Sequence, residues 1–367
     1  MKKINKEIEV FFSKTYKSKL TDVPLSEQKL GLNDFIQNLK IPRLCNEEQA
    51  TFEHDLTVQE IKNMLHSFEK DKTPGKNGFT KEFYEKFFDR LKQNLLDSCN
   101  EAFQKDSLSV SQRRGVISLI PKNDSDLSEL TGWRPITLIN VDYKILAKCF
   151  AKTYRIFPSQ TNPFGPNLRL LNDLMEYTDV KKISGVFLFI DFEKAFDSIE
   201  WNFIKRSSEL FNLGPFLTRW FSILYSNSEA VVMNASYMTD YFTLSRGVHQ
   251  ECPLIPFLFI LSAELLALKI RQEPNWKGIK IPNLQEAKIS QFADDTSLIS
   301  KDTNSLKFSL QIIGGDETWR VCKIDQLKYK NGNATFRNRS SRWLNYKTSG
   351  EKVLQTGSNF WKNLTSR

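Results

Sequence analysis

The sequence has few residues suited to metal clips or covalent staples. Its five cysteines, Cys45, Cys99, Cys149, Cys252 and Cys322, are odd in number, widely scattered, and never spaced as C-x-x-C. Its three histidines, His54, His66 and His249, make no metal-ligand spacing with them. Neither a zinc site nor a disulfide framework is indicated, and reduced structural thiols are expected. No apolar run approaches the roughly 20 residues needed to span a bilayer. The opening "MKKINKEIEVFFSK" is basic but carries acids where a signal peptide has its apolar core. An intracellular protein, nuclear or cytoplasmic, with no membrane partner is expected. No period of 20 to 50 residues recurs. Most of the chain also lacks net charge. Arg320 to Arg367 holds 11 basic and 2 acidic residues, and the remainder holds 41 of each sign, so the whole +9 sits in the tail. A polyanionic partner must therefore be met by local patches on the body, with the tail as an added electrostatic element or a solvated end.

What is present is globular. The 367 residues are 40% hydrophobic and 26% charged, enough for two or three subdomain cores. Ile4, Ile8, Phe11, Phe12 and Tyr16 fall on one face of a helix over 4–20, and a short helix follows near 32–40. Thr57 and Glu60 form a capping box before Val58, Ile61, Leu65 and Phe68. "TPGKNG" breaks the chain, and Thr80 caps one long helix through "KEFYEKFFDRLKQNLLDSCNEAF". "GVISLIPK" and "RPITLI" read as strands, followed by a helix from Asn140 or Asp142. "GVFLFID" is a continuous apolar run, as in a strand buried on both faces. Two helices then lead to a hairpin in "EAVVMNASYMTDYFTL", a largely apolar helix in "PLIPFLFILSAELLALKI", strands at "GIKI" and "AKISQFADDTSLIS", and a helix at "TNSLKFSLQII". Strands and helices mix without regular alternation, which predicts an α+β fold with a sheet backed by helices.

Asp294 and Asp295 stand side by side in an otherwise weakly polar ribbon. Alone, such a pair commonly marks a surface turn. Asp191, however, ends the buried strand, where a carboxylate is aimed at a cleft more often than at bulk water. If the strands are neighbours, three carboxylates converge. At about 4 Å and an effective dielectric near 20, each like-charge pair costs about 4 kcal/mol. Oxygen ligands of this kind suit Mg²⁺, and paired ions about 3.5 to 4 Å apart stabilise attacking and leaving oxygens in phosphoryl transfer.

"FLFIDFEKAFDSIEW", "SRGVHQECPLIPFLFILSAELLA" and "QFADDTSLI" resemble, in that order, the three central palm motifs of reverse transcriptases in their non-LTR (LINE-type) retrotransposon form. "LIPK" followed by "GWRPITLINVDYKILAKCFA" resembles that family's fingers, and "LTVQEIKNMLHSFEKDKTPGKNGFTKEFYEKFF" its upstream helical extension. The resemblance runs from about residue 5 to about 313. It implies right-hand polymerase fingers and palm, with a ferredoxin-like palm sheet and a thumb missing or degenerate. The implied segments are a helical extension over 1–56, fingers over 57–184, palm over 185–313 and a degenerate basic tail over 314–367. It also implies roles. Asp191 and Asp294 match metal-binding carboxylates, Asp295 the third acid, and Phe192 a backbone carbonyl facing one of two Mg²⁺ ions, for which Mn²⁺ can substitute. Phe196 matches the aromatic steric gate that excludes a 2′-OH, its alternative being an ordinary core aromatic. Lys122 and Arg134 match cations that hold the triphosphate, their alternative being solvated charges. Gln250 matches a residue beside the incoming nucleotide. Lys323, in "VCKIDQLKYK", is the best match to a lysine that donates a proton to pyrophosphate.

Three departures accompany the resemblance. The family reads arginine-glutamine-glycine-cysteine-proline-leucine-serine-proline where this chain has His249, Gln250, Glu251, Cys252, Pro253, Leu254, Ile255 and Pro256. Glu251 thus replaces a glycine close to the nucleotide. A longer family segment is shortened at "FPSQTNPFGPNLRL", and nothing is recognisable from Asn331 onward. The implied function is RNA-directed DNA polymerisation on an RNA template and DNA primer with dNTP substrates, impaired in this chain. The first alternative is an inactive remnant that still binds RNA or primer-template. The second is a metal-dependent hydrolase using the same acids, against which the order of the motifs argues.

Overall fold

The structure, a computed structural model, describes residues 2–51, 53–122, 126–154, 167–235, 237–247, 251–281, 286–292, 295–302, 305, 308, 323–331 and 353–355. At Asp191, Glu193 and the strands beyond 322 it describes the backbone alone. In chain order the elements are helices α1 (Lys2–Tyr16), α2 (Leu25–Ile36), α3 (Asn46–Ala50), α4 (Val58–His66), α5 (Lys81–Lys86) and α6 (Phe88–Gln104), then strands β1 (Arg114–Pro121) and β2 (Trp133–Leu138). Helices α7 (Val141–Tyr154) and α8 (Asn167–Lys181), strand β3 (Val186–Glu193), and helices α9 (Ala195–Ser198), α10 (Trp201–Leu210) and α11 (Pro215–Tyr225) follow. Strands β4 (Glu229–Asn234), β5 (Tyr237–Met238) and β6 (Phe242–Thr243), helix α12 (Ile255–Gln272), and strands β7 (Ile289–Phe292), β8 (Asp295–Ser300), β9 (Lys323–Asn331) and β10 (Val353–Gln355) complete the order. The α+β expectation holds.

The chain forms two compact units, each assembled from three separate segments. Residues Met1–Asp22, Pro42–Ser159 and Phe196–Ser262 make the first, and Val23–Ile41, Gln160–Ala195 and Ala263–Arg367 the second.

The first unit is built on a mixed sheet of order β2-β1-β4-β5, with β6 also on β4. β1 pairs antiparallel with β2 but parallel with β4, Val116 facing Val231. Helix α1 lays Ile8, Phe12 and Tyr16 on this sheet against Ile117, Ala230, Val232, Phe242 and Leu244. Burying a side chain such as Phe12 contributes about 1.5 to 3 kcal/mol, so this amphipathic helix is held by packing rather than by propensity. A second cluster joins Ile61 and Leu65 of α4 to Tyr84, Phe88 and Val141, Ile145 and Cys149. The Thr57–Glu60 capping box forms: the Thr57 hydroxyl accepts from the Glu60 amide, and Glu60 accepts from the Thr57 amide. Thr80 caps as expected, but the long helix divides at Phe87, where φ is −106° and ψ 16°.

The second unit holds an antiparallel sheet of order β10-β9-β3-β8-β7. β3 is interior. Val186, Phe187, Leu188 and Ile190 are all buried, as the unbroken apolar run requires of a strand covered on both faces. Leu171 and Leu174 of α8 pack on Phe187 and Ile299. α8 is not among the elements expected above, although Leu168, Leu171, Leu174, Met175 and Thr178 recur in it at helical spacing. "GIKI" contributes only an isolated bridge, Ile279 with Ala287, not a strand. Part of the stretch expected to be a degenerate tail is ordered into the sheet: β9 pairs with β3 from Val186 to Glu193, and β10 pairs with β9. The helix expected at "TNSLKFSLQII" falls mostly outside the described residues.

Candidate active site

In the second unit, strand register brings two of the carboxylate positions together. β3 and β8 pair antiparallel from Val186 with Ser300 to Ile190 with Thr296. Asp191 and Asp295 are the next residues beyond that last pair, and the same register continued by one step would set them opposite one another. Residues directly opposite in such a pair have Cβ atoms about 4.5 to 5.5 Å apart. Two ionised carboxylates there repel by about 3 kcal/mol at an effective dielectric near 20, a cost that bound cations or donors must offset. Asp295 is exposed and pairs across the hairpin with Phe292. The residues between them, Ala293 and Asp294, lie outside the described residues.

The other side of β3 is irregular at the same place. Asp191 pairs with Gln326, but Phe192 pairs with Ile324, so Asp325 is an extra residue and the ladder slips. A β-bulge increases local twist and re-aims the chain, and such features are common beside active sites. Phe192 is buried, and Lys323 pairs with Glu193, two positions beyond Asp191. Among the described residues no three His, Cys, Asp or Glu side chains form a metal-binding group. Asp294 and the Asp191 side chain are not among those residues. The donors at these positions are all oxygen, which fits Mg²⁺ or Mn²⁺ and not a soft metal.

In the first unit, the β1–β2 hairpin gathers the expected triphosphate cations. Arg134 pairs with Ile120, and the Lys122 amide donates to Gly132 O at 2.9 Å. Lys122 and Arg134 are therefore diagonal neighbours on one face. Arg134 is exposed, and the Lys122 ammonium donates to Thr131 O at 2.9 Å. Phe196 is half-buried, its ring 4.9 Å from that of Phe259. The contact fits a core aromatic as well as a gate.

The segment after Gly247 carries the main departure from the expected pattern. Val248, His249 and Gln250 lie outside the described residues. Glu251 has φ of +85°, the left-handed region where a glycine sits without strain. Its carboxylate lies 3.9 Å from the Lys144 ammonium, which is 13% exposed. Burial lowers the Lys144 pKa, while Glu251 and Cys252 act in the opposite sense. Glu251 also helps to raise the pKa of Lys72, whose main partner is Glu69 at 2.8 Å. Cys252 is buried, with the hydroxyls of Tyr143 at 3.8 Å and Tyr225 at 3.7 Å, and burial pushes its thiol pKa up. Lys144 is not among the site residues expected from the sequence, although it lies in "VDYKILAK" within the fingers-like stretch. The only signal was a lysine among apolar helix positions.

Cys45, Cys99, Cys149 and Cys252 are free thiols. Among the described residues no helix is long and apolar enough to cross a membrane.

A family profile described as reverse transcriptase (RNA-dependent DNA polymerase) matches residues 120–346. The chain is 30% identical over 278 residues to the transposon TX1 uncharacterized 149 kDa protein of Xenopus laevis, covering 73% of this chain and 21% of that protein. It is 28% identical over 211 residues to the retrovirus-related Pol polyprotein from type-1 retrotransposable element R2 of Popillia japonica, covering 53% of this chain and 29% of the relative. The chain thus spans less than a third of the length of either relative.

Proposed function

Because the chain belongs to the reverse transcriptase (RNA-dependent DNA polymerase) family, we propose that it extends a DNA primer on an RNA template, as part of a non-LTR retrotransposon protein. The observation that supports this reading is the β3–β8 register, whose last pair, Ile190 with Thr296, directly precedes Asp191 and follows Asp295, beside a bulge in the neighbouring β3–β9 ladder. In this reading residues 57–184 act as fingers and 185–313 as palm, with the antiparallel sheet as its ferredoxin-like floor.

Asp191, Asp294 and Asp295, with the Phe192 carbonyl, would hold two Mg²⁺ ions. Bound there, the ions supply charge stabilisation to the attacking and leaving oxygens. Lys122 and Arg134 bind the triphosphate, Arg134 suited to bidentate contact with its planar guanidinium. Phe196 lies against the sugar and disfavours a 2′-OH, and Gln250 flanks the nucleotide. Lys323, on the strand beside Asp191, donates a proton to the departing pyrophosphate. These residues position and neutralise, which is most of what phosphoryl transfer requires of a protein.

The test is primer extension on a homopolymer RNA template with Mg²⁺ or Mn²⁺. Extension by the parent that disappears in Asp191→Asn and Asp295→Asn supports the reading, and extension that survives both substitutions sinks it. One observation favours a second reading, an inactive remnant that binds RNA or primer-template. Glu251 occupies a left-handed position that the family pattern gives to glycine. Tight primer-template binding without incorporation would favour that reading.

A further inference from the structure

Three chain segments of the first unit are tied to one another around Asp197. The first is the end of α1. Helix ends leave carbonyls without intrahelical partners. Here the Ser245 and Arg246 amides donate to Tyr16 O at 3.0 and 3.2 Å. The Arg246 side chain donates to Thr15 O through Nε at 2.9 Å and Nη2 at 2.6 Å. Just beyond the helix, the Ser18 hydroxyl and the Lys19 amide donate to the two carboxylate oxygens of Glu200 at 2.7 and 3.1 Å.

The second and third segments, 197–201 and 245–247, are also joined directly. The Gly247 amide donates to Ile199 O at 2.8 Å, and the Trp201 indole donates to Gly247 O at 2.6 Å. Gly247 has φ of +77°, and a Cβ there would come within 2.7 Å of Asp197 O, so only glycine allows this approach. At the centre the Tyr16 hydroxyl donates to Asp197 Oδ1 at 3.0 Å, with both residues buried. Burial and the neighbouring carboxylate raise the Tyr16 pKa, so the phenol stays protonated and keeps its donor.

We propose that Tyr16 is a positioning residue for nucleotide selection: through Asp197 and the 245–247 segment, the end of α1 fixes the turn carrying Phe196. The proposal rests on the polymerase reading above, because it presumes that Phe196 meets the sugar. Asp197 is the residue after Phe196, so its carboxylate anchors the gate's own turn. Tyr16 touches no substrate. Its loss would loosen the geometry of discrimination rather than remove a reacting group.

The experiment uses full-length Tyr16→Phe beside Phe12→Leu, which weakens α1 packing but leaves the hydroxyl contact. Tyr16→Phe should reduce discrimination between dNTP and rNTP by about tenfold, a typical size for one lost charge-assisted hydrogen bond. The change should appear mainly as a lower KM for the rNTP, with kcat for the dNTP within about twofold of the parent. Phe12→Leu should lower the unfolding midpoint with selectivity unchanged. By amide exchange, Tyr16→Phe should lose protection at residues 199–204 and 245–247, with the β1–β4 pairing still protected. Selectivity in Tyr16→Phe equal to the parent, or lost equally in both variants, overturns the proposal. If the parent incorporates nothing, the polymerase reading fails by itself, and exchange then decides the structural link. Unchanged protection at 199–204 and 245–247 overturns it, and selective loss upholds it.

Discussion

The two carboxylate-bearing strands and the residues around Gly247 and Glu251 make an instructive contrast. Asp191 and Asp295 flank the end of a β3–β8 register that repeats over five consecutive pairs. Little beyond two paired strands is needed. The Gly247–Glu251 region depends on partners far away in sequence. Tyr16 reaches Asp197 across 181 positions and Arg246 reaches Thr15 across 231. It is also where the chain departs from the family pattern. A site dictated by strand geometry can survive changes elsewhere, whereas one held by long-range side-chain contacts is open to local revision.

The contrast is broken most directly at the strands. Asp191→Asn and Asp295→Asn should each lower single-turnover incorporation by about a thousandfold, at the upper end of what losing one electrostatic contact costs. Primer-template affinity in a filter-binding assay should stay within about threefold. Incorporation near parental level in either variant would mean that the register does not define the site.

The next largest effect is expected at Glu251. If Glu251 faces the nucleotide as the polymerase reading has it, removing its carboxylate and relaxing a positive-φ residue should act together. Glu251→Gly should raise kcat/KM for the dNTP by about tenfold, and raise stability by about 1 kcal/mol because glycine adopts φ of +85° without a Cβ penalty. Stopped-flow incorporation and urea midpoints measure the two separately. A gain in stability without a gain in rate would show that Glu251 faces away from the pocket, toward Lys144 and Lys72.

The smallest effect sharpens the comparison through pH. Burial lowers the Lys144 pKa below its ordinary 10.5. Between that depressed value and 10.5 the unfolded chain binds more protons, so this residue's contribution to stability rises with pH across the window and is flat below it. Lys144→Met should remove that increment, seen by comparing urea midpoints at neutral and alkaline pH. Glu251→Gly should widen the window, because the carboxylate acts to raise the Lys144 pKa. A pH profile identical in parent and Lys144→Met would refute the assignment.

Much of this framework was legible in the sequence because local rules govern it. The run "VFLFI" specified an interior strand, Thr57 and Glu60 specified a helix start, and the Asp-Asp pair followed a strand that did form a hairpin. The nearness of Lys122 to Arg134 was implied by two strands joined through a polar loop. Other features followed no local rule. The β9 sequence "KIDQLKYKN" alternates charged and apolar residues weakly, and its place beside β3 is decided by sheet pairing. Lys144 meets Glu251 through packing between segments more than 100 residues apart, and no periodicity encodes that. Helix α1 was visible as an amphipathic stripe, but its capping by Ser245 and Arg246 was not.

The position of β9 has a consequence for how safely the chain can be shortened. β3 is interior because β9 covers one side of it and β8 the other. A chain cut before Lys323 would leave β3 with a free row of amides and carbonyls beside Val186, Phe187, Leu188, Phe189 and Ile190. A flat apolar edge of that kind recruits strands from other molecules. β9 itself carries Lys323, Lys328 and Lys330, charges that discourage such pairing. β9 and β10, two of the sheet's five strands, therefore act as a guard against self-association, and truncated forms should precipitate before they lose their helices.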